Sequence, residues 1–218
     1  MSWWLLPCRH LDHVSQEKAT ERQAQLTKPT GALGDLEEIA ITLAGLQRTE
    51  QPNVDHLWIS LFAGDHGVMQ ENISAYPQAV TRQMLHNFTT GGASISVIAK
   101  QYHAHLQVID CGTVGEVYDY QGVQQHPIAS GTQNFVETVA MTEPQCIAAM
   151  TIGKNSVDQA AEHKSNLFIA GEMGIGNTCS ASALACLILN ESADVLTGVG
   201  TGIDHAKLQH KKQVIQRA

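Results

Sequence analysis

A recurring unit constrains the fold of this chain more than any other feature: a short apolar run precedes a glycine, and a helical pattern follows. The runs are Leu57 to Ala63, Leu106 to Cys111, Asn166 to Ala170 and Val195 to Val199. The predicted helices are Ser15 to Leu26, Leu33 to Gln47, Pro77 to Asn87, Ala93 to Gln101, Pro144 to His163, Thr178 to Asn190 and Asp204 to Arg217. This alternation is typical of a parallel α/β sheet.

The length and charge of the chain narrow the class of protein further. A chain of 218 residues suits one α/β domain over residues 1–218. The formal net charge of −8 argues against general binding of nucleic acid or membrane surfaces, which normally requires a basic excess. Residues 112–135, rich in Gly, Gln and Asn, predict a long functional excursion at the edge of the sheet.

The chain start and the cysteines favour a reducing, cytoplasmic location. The segment MSWWLLPC has no basic start and no small-residue cleavage site, so we do not expect a secretory signal. The five cysteines are scattered and include no CxxC pair, so neither a disulfide framework nor a zinc site is indicated. The eleven histidines form no HxxxH or HExxH pattern, which argues against a metal site.

Two glycine-rich segments fall where strands are predicted to end, which is where open parallel sheets bind ligands. In AGEMGIGNT (170–178), the glycines allow close backbone approach, and the following helix N-terminus could hold a phosphate. A tight turn without a ligand is the alternative. Glu172 would repel a phosphate in direct contact, so it fits sugar hydroxyls better. TGVGTGID (197–204) repeats the same pattern.

Four further side chains admit two interpretations each. Lys211 could reach a phosphate, although adjacent lysines such as Lys211 and Lys212 often form a solvated face. Cys179 stands near a helix N-terminus, which could lower its thiol pKa, but a packing role fits better because no partner base is visible. His66, beside Asp65 in AGDHG (63–67), could serve proton transfer or ligand orientation.

Six colinear segments together resemble one family, the nicotinate-nucleotide:dimethylbenzimidazole phosphoribosyltransferases. They are LTKPTGALGDLEEIA (26–40), FAGDHGV (62–68), SAYPQAVTRQM (74–84), GGASISVIA (91–99), GEMGIGNTCSASAL (171–184) and GTGID (200–204). They occur in the family's order and cover nearly all of the chain, which makes them far more specific than one glycine loop.

The resemblance implies a Rossmann-like, mostly parallel sheet with a small helical subdomain, in a homodimer. It implies transfer of the phosphoribosyl group of nicotinate mononucleotide to 5,6-dimethylbenzimidazole, which gives α-ribazole 5′-phosphate and nicotinate in cobalamin lower-ligand synthesis. The anomeric configuration inverts, so in-line displacement is the natural mechanism. Neither a metal nor another cofactor is implied.

The family's site residues match particular positions of this chain. Glu172 resembles a ribose-site residue with a supporting catalytic role. Ser74 and Gln83 resemble residues beside the benzimidazole pocket. The positions that resemble the phosphate and ribose site are Gly174, Gly176, Asn177, Thr178, Gly200, Thr201, Gly202 and Lys211. The resemblance assigns no individual role to Asp65 or His66.

Two departures from the family pattern leave other functions open. GVGTG (198–202) stands where the family has GRGTG, so a basic residue is missing. The family also continues past the segment that ends here at Ala218, with a GEGTG-like motif whose glutamate is taken as the base. We therefore expect this 218-residue chain to have an incomplete small subdomain and little activity. The alternatives are an inactive fragment that retains nucleotide binding or oligomerisation, and a different nucleotide-handling α/β enzyme.

Overall fold

The computed structural model describes residues 3–115 and 119–218, which separate into two compact units divided after Asp55. The first unit holds the helices α1 (His13–Gln25) and α2 (Asp35–Gln47), which pack on each other. Both helices were predicted. A single domain over residues 1–218 stays a prediction. Residues 116–118 of the predicted excursion lie outside the described residues.

The second unit is a four-stranded parallel sheet flanked by helices, which confirms the predicted fold class. Its strands are β1 (Leu57–Ala63), β2 (His105–Asp110), β3 (Val123–Gln125) and β4 (Leu167–Met173), in the order β3-β2-β1-β4. Its helices are α3 (Ala79–Thr90), α4 (Ser94–Gln101), α5 (Glu143–Glu162), α6 (Asn177–Leu189), α7 (Ala193–Leu196) and α8 (His205–Arg217). Within the described ranges, no helix is long and apolar enough to cross a membrane.

The central strand β1 is buried on both faces, as the nearly continuous apolar run in its sequence requires. One face places Leu61 and Ala63 against Leu85 and Phe88 of α3. The opposite face carries Ser60, which is fully buried and satisfied by hydrogen bonds to side chains of β2 and α5. The sheet is therefore held by an apolar layer on one side and a paired polar layer on the other.

The strand order creates a crevice at the carboxyl ends of β1 and β4. From β1 the chain passes to β2 and β3 on one side, then returns to β4 on the other. The connections after β1 and β4 consequently diverge, which is the arrangement that opens ligand sites in α/β sheets. The two strand ends are joined there by a hydrogen bond of 3.1 Å from the Gly64 amide to the Met173 carbonyl.

The predicted strand Val195 to Val199 is wrong. The segment instead forms the short helix α7, followed by irregular chain. A short apolar run cannot be assigned to a strand or a helix by periodicity alone. Here Ala193 packs against Val214 and Ile215 of α8, so tertiary contacts select the helix. The three-residue β3 was missed because it lies inside the polar segment 112–135.

Candidate functional site

The turn after β4 presents backbone amides at the start of α6. Gly176, with φ of 103°, is the N-cap of this helix, and the amide of Asn177 is bonded to the Gly174 carbonyl. The amides of Gly176 and Thr178 have no hydrogen-bond acceptor in the described chain. Unpaired amides at a helix N-terminus, together with the helix dipole, favour an anion.

Lys211 brings a buried cation to the same turn. Its side chain is 1% exposed, and Nζ donates to Thr178 Oγ1 at 2.7 Å and to the Gly198 carbonyl at 3.2 Å. Burial lowers the pKa of this amine. No carboxylate in the described part of the chain forms an ion pair with it. Neighbouring Lys212 instead pairs with Asp194 on the surface, at 3.5 Å.

A lysine ammonium has three N–H donors, and the two hydrogen bonds of Lys211 leave one of them without an acceptor among residues 3–115 and 119–218. A buried cation is costly unless it is paired. An anion next to Thr178 would accept from the remaining N–H donor of Lys211 and would compensate its positive charge.

Most of the sequence-predicted residues come together around this cation. A small pocket of about 30 Å³ is lined by Ser74, Gly174, Gly176, Asn177, Thr178, Thr201 and Lys211, together with apolar neighbours. Gly200 borders it, since a Cβ at that position would lie 3.5 Å from Lys211 Nζ and 2.8 Å from Thr178 Oγ1. The pocket has room for a small polar group rather than an aromatic ring.

Besides Gly200, three predicted residues are absent from the lining of this pocket. Gln83 is exposed on α3. Glu172 lies on β4 and points to the face of the sheet opposite Met173, because side chains alternate along a strand. It has solvent access, yet partial burial raises the pKa of its carboxyl. Gly202, with φ of 87°, has open space around it, so only its backbone conformation requires glycine.

Asp65 and His66, whose roles the sequence left open, lie against the turn after β4. The Asp65 carboxylate is 2% exposed and accepts from Thr81 Oγ1 at 2.7 Å and from the Val114 amide at 2.8 Å. The His66 imidazole is hydrogen-bonded to Asn177 Oδ1 through Nε2 and to Ser180 Oγ at 3.0 Å through Nδ1. Sequence reasoning missed Thr81 and Ser180, although both fall inside quoted motifs.

A larger, mostly apolar cavity of about 140 Å³ is lined by Asp65 and His66. It sits at the carboxyl ends of β1 and β2, between Gly64 and Cys111, which directly follow these strands, and Ala149 on α5. Its volume is close to that of cavities that accept one aromatic ring. It was not predicted, because its walls combine the AGDHG segment with segments distant in sequence, and only the fold brings them together.

Neither a metal centre nor a reactive thiol is found in the site. The described residues contain no group of three or more His, Cys, Asp or Glu side chains placed to hold a metal ion. Cys179 is fully buried in a core cluster, and burial raises its thiol pKa to about 11. Its packing role is confirmed, and the helix N-terminus does not activate it.

Comparison with known proteins identifies close relatives of this chain. A family model described as "Phosphoribosyltransferase" matches residues 8–218. Relatives named nicotinate-nucleotide–dimethylbenzimidazole phosphoribosyltransferase, from Pseudomonas putida and Pseudomonas fluorescens, are 52% and 53% identical over 217 residues. Each alignment covers 100% of this chain and 62% of the relative. A crystal structure of CobT from Thermus thermophilus is 40% identical with a TM-score of 0.88, over 94% of this chain and 62% of that chain.

Proposed function

Because the chain belongs to the phosphoribosyltransferase family whose model matches residues 8–218, we propose that it transfers the phosphoribosyl group of nicotinate mononucleotide to 5,6-dimethylbenzimidazole. The products are α-ribazole 5′-phosphate and nicotinate. The relatives that carry this activity in their names support the choice of substrates. The chain spans 62% of the length of those relatives.

The observation that carries the proposal is the buried cation at a helix N-terminus. Among the described residues, Lys211 Nζ, which donates to Thr178, keeps one N–H donor without an acceptor, and the amides of Gly176 and Thr178 are unpaired. A phosphate monoester would accept from all three groups. This arrangement suits a nucleotide 5′-phosphate better than a neutral ligand, because a neutral ligand would leave the ammonium buried and uncompensated.

The remaining assignments follow from that anchor. With the phosphate held at Lys211, the ribose extends toward the carboxyl end of β4, where Glu172 accepts from its hydroxyls. Ser74 lines the same pocket and borders the incoming base, with Gln83 assigned to the same base. The benzimidazole nitrogen then attacks the anomeric carbon opposite the nicotinate, so one C–N bond forms as the other breaks. The configuration inverts, nicotinate leaves, and the N–H proton of the benzimidazole passes to water.

The charge that develops on the sugar indicates a role for Glu172. An in-line displacement at an anomeric carbon passes through an oxocarbenium-like state with positive charge on the ring. The Glu172 carboxylate, partly desolvated at the strand end, stabilises that charge more strongly than a solvated one would. We assign it this supporting role and not that of the base.

The assay for the proposal combines turnover with binding. The protein is mixed with nicotinate mononucleotide and dimethylbenzimidazole, and α-ribazole 5′-phosphate is sought by chromatography. Inorganic phosphate should compete with the nucleotide for the pocket. Binding without turnover would support an inactive fragment that retains nucleotide binding. Failure of phosphate to compete would contradict the phosphate assignment, and binding of a different nucleotide alone would support another nucleotide-handling enzyme.

We also propose that the protein acts as a homodimer in the cytoplasm. The family resemblance supports the dimer, and the absence of a CxxC pair or disulfide framework supports a reducing compartment. Sedimentation at several protein concentrations tests the dimer. Fractionation of cells that express the tagged protein tests the location.

A further inference from the structure

We propose that Asp65 and His66 are positioning residues that hold the turn after β4 in its anion-binding shape and do not touch the ligand. The two residues follow β1, whose carboxyl end meets that of β4 at the crevice. Each forms a separate polar link to the turn, one through Thr81 and one through Asn177. The inference rests on the proposal that this turn binds a phosphate.

The first link runs from Asp65 to the amide of Ile175, in the middle of the turn. The Thr81 hydroxyl, which is fully buried, donates to Asp65 Oδ1 and accepts from the Ile175 amide at 3.1 Å. A hydroxyl has a single proton, so donation to Asp65 directs its lone pairs toward Ile175. The other carboxylate oxygen accepts from the Val114 amide. Both oxygens of Asp65 are therefore engaged within the protein.

The second link runs from His66 to the first turn of α6. Asn177 is the first residue of this helix, and Ser180 lies three residues further on. A neutral imidazole has one N–H donor and one acceptor nitrogen. With Asn177 Oδ1 as an acceptor, Nε2 carries the proton, and Nδ1 accepts from the Ser180 hydroxyl. Burial lowers the pKa of His66, which favours this neutral form.

The engagement of their polar atoms within the protein favours a positioning role over direct contact with the ligand. The oxygens of Asp65 and the nitrogens of His66 all have protein partners. The nearby charge of Asp65 partly offsets the effect of burial on the pKa of His66. The Lys211 amine does not contact either residue and donates to Thr178 and Gly198.

The turn needs external support because its glycines are conformationally permissive. Gly174 and Gly176 let the backbone approach closely, but each also enlarges the set of conformations open to a free turn. A Cβ at Gly176 would lie 3.3 Å from the His66 Cβ, so the turn packs directly on this residue. The hydrogen bonds at Ile175 and at Asn177 restrain the turn at two points. They reduce the conformational entropy that the turn loses when an anion binds.

Two matched pairs of variants test the inference, with inorganic phosphate as the probe and calorimetry of the 218-residue chain as the measurement. Thr81→Val removes the hydroxyl while keeping the shape, and Thr81→Ser retains a hydroxyl. His66→Asn cannot reach Asn177, whereas the amide nitrogen of His66→Gln occupies the place of Nε2. We expect Thr81→Val and His66→Asn to weaken phosphate binding about tenfold, and their partners to stay within about threefold of wild type.

Thermal unfolding of each variant separates positioning from a general loss of structure. Weaker phosphate binding by Thr81→Val or His66→Asn, in a variant that still unfolds cooperatively above the assay temperature, supports the inference if the conservative partner restores affinity. If Thr81→Val does not fold, the comparison of His66→Asn with His66→Gln tests the inference by itself. Wild-type affinity in His66→Asn, or equal losses in His66→Asn and His66→Gln, would overturn the inference and leave the proposed function standing. A wild-type chain that binds no phosphate would overturn both.

Discussion

Replacing Lys211 with methionine tests the anion site most directly, because the change removes the cation and keeps an unbranched side chain of similar length. Nζ uses two of its three donors on Thr178 and Gly198, which leaves one donor for the ligand. A hydrogen bond to a charged group contributes about 1.5–3 kcal/mol. At about 1.4 kcal/mol for each factor of ten, Lys211→Met should weaken nicotinate mononucleotide binding about 10- to 150-fold.

Lys212→Met is the matched control, since it removes the same charge one residue away. Lys212 pairs with Asp194, whose side chain is 63% exposed, and an ion pair with such solvent access contributes little. Calorimetry should show nearly wild-type nucleotide affinity for this variant. Equal losses in both variants would mean that overall charge, and not the buried ammonium, drives binding. A folded Lys211→Met variant with unchanged affinity would refute the site.

The free energies of unfolding of wild type and Lys211→Met at alkaline pH give an independent check on Lys211. Burial lowers the pKa of Lys211 in the folded protein below its ordinary value of 10.5. Between the lowered pKa and 10.5, the unfolded chain binds more protons than the folded chain, so this group makes the free energy of unfolding increase as pH rises. Urea unfolding should detect this contribution in wild type, and it should be missing in Lys211→Met.

Three other substitutions or treatments have defined outcomes. Gly176→Val should abolish nucleotide binding measured by calorimetry, because φ is 103° and a Cβ would press on neighbouring side chains. The control Gly153→Ala, which lies in open space on α5, should bind the nucleotide normally. Glu172→Gln should cost about 1.5–3 kcal/mol of nucleotide binding. Wild-type affinity should fall as pH drops through the raised pKa of Glu172, a dependence that the variant should lack. Alkylation at pH 8 followed by mass spectrometry should modify exposed Cys146 and spare Cys179, whose thiol pKa is about 11, and modification of Cys179 in the folded protein would contradict its burial.

Local patterns in the sequence were sufficient for β1, β2, β4 and most of the helices. β1 is a nearly continuous apolar run before a glycine, which is the pattern of a strand buried on both faces. α5 begins at Glu143, and its N-cap Thr142 forms a capping box with Gln145, a signal that depends on residues three apart. Such features depend on neighbours in the chain, so they can be predicted without the tertiary fold.

The phosphate-site residues were predicted by a different route. Glycine spacing and the motif resemblance pointed to Gly174, Gly176, Thr178 and Lys211, and the fold brings these residues to one pocket. The choice between a solvated and a buried Lys211 could not be made from two adjacent lysines. It depends on how α8 packs against the turns after β4 and α7, which places Lys211 inside and Lys212 outside.

The parallel topology, the helical segments and the glycine turns were determined by the sequence, because apolar periodicity and backbone freedom are local properties. The tertiary structure decided the conformation of Val195 to Val199, the partners of Asp65 and His66, and the larger cavity beside His66. Each of these depends on contacts between segments far apart in the chain. His66, for example, is separated from Asn177 by 111 positions, and only the adjacent placement of β1 and β4 in the sheet brings the two side chains within hydrogen-bonding distance.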